Sequence, residues 1–301
     1  MKFINTILIG ITSGSIYALM AISIVLVWRS TRIINFAQAG MALASTFIGF
    51  EMIQIFHSFW VALPLAMVAG AILAAFIEVI FMRTLIKHSK SGPIAAVAPI
   101  IATLGLLGLI KGVLGIFYQN SDVLILPPIS DKGFIINGES IAISPLRILI
   151  LMTAIILVVS LTFLFEKTNL GLMIRASSFA PEISSLSGVR VGLVRTIGWA
   201  LSGAAGAAAG MLQTPNASGS ISPDSLEFSL LLVYGFVAAV IGGIDSLVGA
   251  VVGGLVLGLG IAIVLMYIGA SLVFMTAFII LMLVLFVKPN GLIRMGVGRS
   301  V

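Results

Sequence analysis

Long apolar stretches separated by short polar interruptions make up nearly the whole chain. They fall at about 3–28, 40–56, 60–82, 93–118, 146–165, 196–213, 228–244, 247–268 and 271–287. A helix needs ~20 apolar residues to cross the hydrocarbon core of a bilayer. The pattern therefore predicts an all-α, polytopic transmembrane bundle of about eight to ten spans, nine by direct count. The polar gaps leave no room for a sizeable soluble domain, so residues 1–301 read as one transmembrane domain.

The segment 29–45 fits this pattern least well. It opens on Arg29 and Arg32, and Asn35-Phe36-Ala37-Gln38-Ala39-Gly40 is too polar for lipid and too apolar for a water-filled loop. A broken or re-entrant helix is expected there, a backbone form tolerated only where protein or a cavity covers it. The first apolar run begins with a thin basic start at Lys2. It is too long for a signal peptide and lacks a small-residue cleavage site, so it reads as a retained first span.

Composition sharpens the picture. Hydrophobic residues make up 60% of the 301 and charged residues only 9%, against about 25% charged in an ordinary soluble domain. Most of the surface must face lipid. The net charge of +6 is accounted for by topology and calls for no nucleic acid. Arg83, Lys87 and Lys90 share one loop; Lys167, Arg175, Arg190 and Arg195 another; Lys288, Arg294 and Arg299 the tail. Asp122, Asp131 and Glu139 fall in an alternate loop, Asp224 and Glu227 in a second. Basic residues near span ends mark the cytoplasmic side. Loop 166–195 and the C-terminus are thus expected in the cytoplasm, loop 119–146 outside as a partly ordered cap, and the N-terminus outside.

The residues needed for catalysis are missing. His57 and His88 are the only histidines, Cys is absent, no span pairs two carboxylates on one face, and no phosphate-binding G-x-x-x-x-G-K-[ST] loop occurs. No metal or cofactor is expected, and an enzyme is disfavoured. Ionisable groups inside spans are few: Glu51, Glu78, Lys111 and Asp245. Glu51 and Asp245 lie near span ends. Glu78 and Lys111 can snorkel to water, or serve a pathway or interface, since a charge at the bilayer centre costs ~2.5–3.5 kcal/mol on insertion scales. No array of acids suited to proton or sodium coupling is present. Glycines four apart in the late spans, such as Gly206 and Gly210 or Gly254 and Gly258, suit close helix packing.

Loop 166–195 carries its own signal. Pro181 suits the first helical position, Glu182 complements the positive helix end, and Gly188 is a natural stop. A short helix at about 181–187 is expected, with Ile183 and Leu186 on one face between Arg175 and Arg190. Such an apolar knob fits a groove on a soluble partner; a helix lying on its own bundle is the alternative. Asn35, Gln38 and Gly40 are candidates for the wall of a translocation path, or for amides that bridge a broken helix to its neighbours.

Several short motifs resemble one family, in order and over nearly the whole chain. Gly14-Ser15-Ile16-Tyr17-Ala18-Leu19, Asn35-Phe36-Ala37-Gln38, and Gly171 to Ala176 followed by Leu186-Ser187-Gly188-Val189 resemble the permeases of branched-chain amino acid ABC importers, specifically the shorter permease. So do Gly242-Gly243 with Ser246 to Ala250, and Lys288-Pro289-Asn290-Gly291-Leu292. Asp245 stands where that family usually has glycine, and Ala39-Gly40 where it has Gly-Glu. The resemblance implies two cytoplasmic ABC ATPase subunits, a second homologous permease and an extracytoplasmic solute-binding protein, in a bacterial inner membrane. It implies transport of branched-chain or related amino acids; urea or short amides, or a stand-alone channel, are the alternatives.

Overall fold

The computed structural model describes residues 2–88, 93–136, 139–289 and 291–293. Twelve α-helices carry most of them: α1 Lys2–Thr31, α2 Gln38–Phe56, α3 Phe59–Ile77, α4 Arg83–His88, α5 Pro93–Tyr118, α6 Pro145–Lys167, α7 Asn169–Phe179, α8 Pro181–Leu186, α9 Val191–Asn216, α10 Leu226–Gly242, α11 Leu247–Tyr267 and α12 Val273–Val287. A π-helical turn, Glu78–Met82, joins α3 to α4 without a break. Among the described residues, seven helical stretches are long and apolar enough to cross a membrane, and the protein is a multi-pass membrane protein. Two of the nine expected spans fall short of that measure. α10 has only 17 residues, and α9, with 26, is diluted by glycine, alanine and polar ends. Both lie largely inside the bundle, where other helices rather than lipid cover them.

α1 is the axle of the molecule. Its residues from Ile16 to Val27 are buried on every side, as expected of a helix that is apolar all round. It packs against α11, α9, α10 and α6. A Cβ added at Gly14 would lie 2.8 Å from the Gly254 carbonyl oxygen, and one at Gly258 only 2.4 Å from the Gly10 oxygen. The α1–α11 interface is therefore a contact of backbone on backbone. The same device joins α3 to α9, where a Cβ added at Gly203 would collide with the Gly70 carbonyl, and α10 to α11, where one at Gly253 would collide with that of Ala238.

The loops sort to two ends of the bundle. At one, Trp28 and Arg32 meet Asp245 between α10 and α11, and Arg83 reaches Gly192 and Thr196 at the start of α9. At the other, the Ala142 amide donates to Asn5, and Val123–Leu124 pairs antiparallel with Ser220–Ile221. Lys2 there sits over the Tyr267 ring. The basic loops share the first end and the acidic loops the second; Lys90, Arg294 and Arg299 lie outside the described residues. The family-like ending at 288–292 has a structural task. Leu292 and Ile293 donate their amides to the Ile241 and Gly242 carbonyls at 2.8 and 3.1 Å, filling acceptors that the C-terminus of α10 leaves open.

Packing this close gives a paired prediction. Gly253→Ala should lower the thermal midpoint of the purified protein in detergent by the equivalent of about 1–3 kcal/mol, the usual cost of overpacking. Gly108→Ala, where an added Cβ meets nothing within 4 Å, should leave it unchanged or raise it. Equal effects at the two positions would show that the backbone contacts do not limit packing.

Candidate translocation and coupling site

The segment 32–37 turns the chain back into the bundle. Arg32 adopts a left-handed conformation, φ 57°, and α2 then begins at Gln38 rather than at the surface. Gln38 lies beside Ser202 of α9, whose hydroxyl also donates to the Ser23 carbonyl of α1 at 2.7 Å. Ser23 is eight residues before the end of α1, so α2 starts about 12 Å inside that end at 1.5 Å per residue. The expected break is thus a re-entry whose backbone is covered by protein.

Each side-chain oxygen and nitrogen of its two amides has a partner. The Asn35 side-chain oxygen accepts from the Ala37 amide at 3.0 Å, and its nitrogen donates to the Gln38 oxygen at 3.3 Å. The Gln38 nitrogen donates to the Ser202 carbonyl at 3.2 Å, and its oxygen accepts from the Ser202 hydroxyl at 3.0 Å. Both amides are buried. Gln38 fits only because α9 presents Gly206, where a Cβ would come within 2.3 Å of the amide nitrogen. Gly40 faces Leu107 and Ile110 of α5.

The ionisable groups are also partnered. Glu78 does not snorkel: it is buried and accepts from Arg83 at 2.9 Å and from the Thr196 hydroxyl at 2.6 Å. The π-helical turn explains the pairing. Widening the helix there sets residues five apart one above the other, so Glu78 meets Arg83. The sequence could not reveal this, because an α-helical spacing places them off axis. Lys111 donates to Ser229 of α10 at 3.3 Å, and Glu51 accepts from the Tyr118 hydroxyl at 2.8 Å. Asp245 accepts from Trp28 Nε1 and Arg32 Nη1, at 3.1 and 2.6 Å. The charge at that turn is a tether to α1.

The coupling candidates lie together at the same end. α8 begins with Pro181 and Glu182 in its first turn, and its C-terminus closes through Gly188 at φ 84° with Val189 N donating to the Ser184 carbonyl. Ser184 faces inward, whereas Ile183 is 68% and Leu186 89% exposed. Arg175, on α7, has a buried Nε without a hydrogen-bond partner. Two features went unforeseen. α7 is a separate helix, capped by Thr168 accepting from the Gly171 amide; a Thr just before Asn169-Leu170-Gly171 was the available signal. Phe179, 78% exposed, stands beside the apolar pair, with the Arg32 guanidinium 4.6 Å from its ring.

The family described as branched-chain amino acid transport system / permease component matches residues 6–287. The probable branched-chain amino acid transport permease protein LivH of Methanocaldococcus jannaschii is 28% identical over 80% of this chain and 74% of its own length. The high-affinity branched-chain amino acid transport system permease protein BraD of Pseudomonas aeruginosa is 29% identical over 94% of this chain and 93% of its own. Among solved structures, PsaBC from Streptococcus pneumoniae in complex with Fab aligns with a TM-score of 0.49 and 14% identity, over 95% of this chain and 91% of that one.

The buried carboxylate gives an asymmetric prediction. Removing Arg83 strands Glu78 as an uncompensated buried charge, which costs about 3–5 kcal/mol. Removing Glu78 leaves Arg83, whose side chain is 42% exposed and can reach water. Arg83→Met should therefore lower the thermal midpoint in detergent clearly more than Glu78→Gln. The reverse order would mean that the arginine, not the acid, carries the burial cost.

Proposed function

The chain belongs to the family of branched-chain amino acid transport permease components, and on that premise we propose that it is the membrane-spanning permease of an ATP-driven importer. It works with two cytoplasmic ABC ATPase subunits, a second homologous permease and an extracytoplasmic solute-binding protein, in a bacterial inner membrane. Its substrate is a branched-chain or related small amino acid. Hydrolysis takes place on the ATPase subunits, and the permease itself is not an enzyme.

The observation that carries this reading is the exposed pair Ile183 and Leu186 on α8, set at the bundle end that collects the basic residues. Apolar side chains held in water by a capped helix suit a groove on a soluble partner. A stand-alone channel has no use for them. The energy source points the same way, since Glu51, Glu78, Lys111 and Asp245 each have a protein partner and form no ion-coupling array. Asn35, Gln38 and Gly40 act in this scheme as the fixed wall beside the path.

Replacing Ile183 or Leu186 by Asp should abolish transport and solute-stimulated ATP hydrolysis in the reconstituted complex while membrane insertion stays intact. Normal stimulation in an assembled Leu186→Asp complex would sink the coupling assignment.

Orientation follows from the bias of Lys and Arg near span ends. The chain has no cysteine, so single cysteines report cleanly. A cysteine at Ser185 should resist an impermeant thiol reagent added to intact cells, whereas cysteines at Ser130 and Ser218 should label. Labelling of Ser185 from outside would invert the topology.

A further inference from the structure

A cavity of about 140 Å³ opens among α1, α9 and α10, away from the coupling end. Gln213, three residues before the end of α9, and Glu227, second in α10, stand at its mouth. Tyr17 and Tyr234 meet below with ring centroids 5.1 Å apart. Tyr17 is fifteen residues into α1, about 22 Å from its first residue. The pocket thus runs from the end that bears the acidic loops towards the middle of the bundle. Leu230 and Leu231 supply an apolar wall.

The polar groups around it are unspent, in contrast to the amide cluster at Gln38. Among the described residues, neither tyrosine hydroxyl nor the Gln213 carboxamide has a protein hydrogen-bond partner. The Glu227 carboxylate uses one oxygen to accept from Ser218 at 3.0 Å, while its other oxygen is buried without a partner. Complementing the positive end of α10 and bonding Ser218 account for the first oxygen and leave the second unexplained. Buried polar groups are ordinarily satisfied, so a donor is missing from this pocket.

We propose that this pocket is a transit site for the ammonium end of an aliphatic amino acid. Glu227 takes the charge, and the faces of Tyr17 and Tyr234 add cation–π attraction. The phenol hydroxyls and the Gln213 amide donate to the carboxylate of the solute. Leu230 and Leu231 receive its aliphatic side chain. The site rests on the importer reading above and names where that substrate's charged end is recognised in the permease, after the binding protein has released it.

The test uses the assembled importer in proteoliposomes, with leucine as the probe. Gln213→Cys places the only thiol of this chain at the mouth. A trimethylammonium-bearing thiosulfonate should react there about tenfold faster than a neutral one of similar size, because a cleft of one charge sign concentrates the opposite ion. Adding Glu227→Gln should erase that preference while leaving the neutral reagent's rate unchanged, which also shows that the pocket is intact. In the Cys-free background, Glu227→Gln should cut leucine uptake at least tenfold, and Tyr17→Phe should lower it less. Equal reaction of the two reagents, or leucine uptake undiminished in Glu227→Gln, overturns the site. A parent importer that carries no branched-chain amino acid but retains the cation preference would overturn the importer's substrate assignment and leave the ammonium site standing.

Discussion

Close approach of helix backbones is the constraint on which the rest of this structure depends. In lipid, apolar side chains gain little by meeting one another, and association relies on van der Waals packing and interhelical hydrogen bonds. Here α1 touches α11, α3 touches α9, and α10 touches α11 with backbone against backbone, because both partners lack a side chain or carry only a methyl at the crossing. The core is accordingly built of glycine and alanine along α9 and α11. The large apolar residues of α3, α5, α6 and α12 are left on the outside, where lipid is their solvent.

The same crowding decides which polar groups can be held inside. Gln38 enters the bundle only where Gly206 vacates the space, and Thr46 does so opposite Gly210. Once inside, a polar group must find its partners in protein. The amides of Asn35 and Gln38, the hydroxyl of Ser202 and the carboxylate of Glu78 all do. Nη1 of Arg29 and Nε1 of Trp199 are buried without a hydrogen-bond partner, and the groups at the mouth between α9 and α10 are likewise polar, partly enclosed and not consumed by the fold.

Much of this was legible in the sequence, for identifiable reasons. Apolar runs report exclusion from water, whether into lipid or into the bundle, so the long helices α1, α3, α6, α11 and α12 are evident from hydropathy. Glycine spacing marked the close contacts, and Pro181 with Gly188 bounded α8, because caps and stops are local. The interior helices α9 and α10 read less clearly, since burial against protein relaxes both length and apolarity. The π-helical turn was invisible: an i to i+5 geometry leaves no composition signature, and it decides whether Glu78 faces water or Arg83. The pocket residues also escaped notice. Tyr17, Gln213, Glu227 and Tyr234 come from three separated helices, and only the fold brings them together.

The end that bears α8 is knit into the axle by a small set of charges and rings. Asp245 holds Arg32 and Trp28, and Arg32 also lies against Phe179, just ahead of α8. Beside them, Leu292 and Ile293 seal the last carbonyls of α10. The turn between α10 and α11, the end of α1 and the α7–α8 connection therefore share one cluster. Ile183 and Leu186 follow Phe179 by a few residues, and Phe179 lies against Arg32 at the foot of the helix on which the central packing converges. α1 also carries Tyr17 at its midpoint. One continuous helix thus runs from the cluster beside α8 to the cavity that opens at the far end, with backbone contacts to α11 along it.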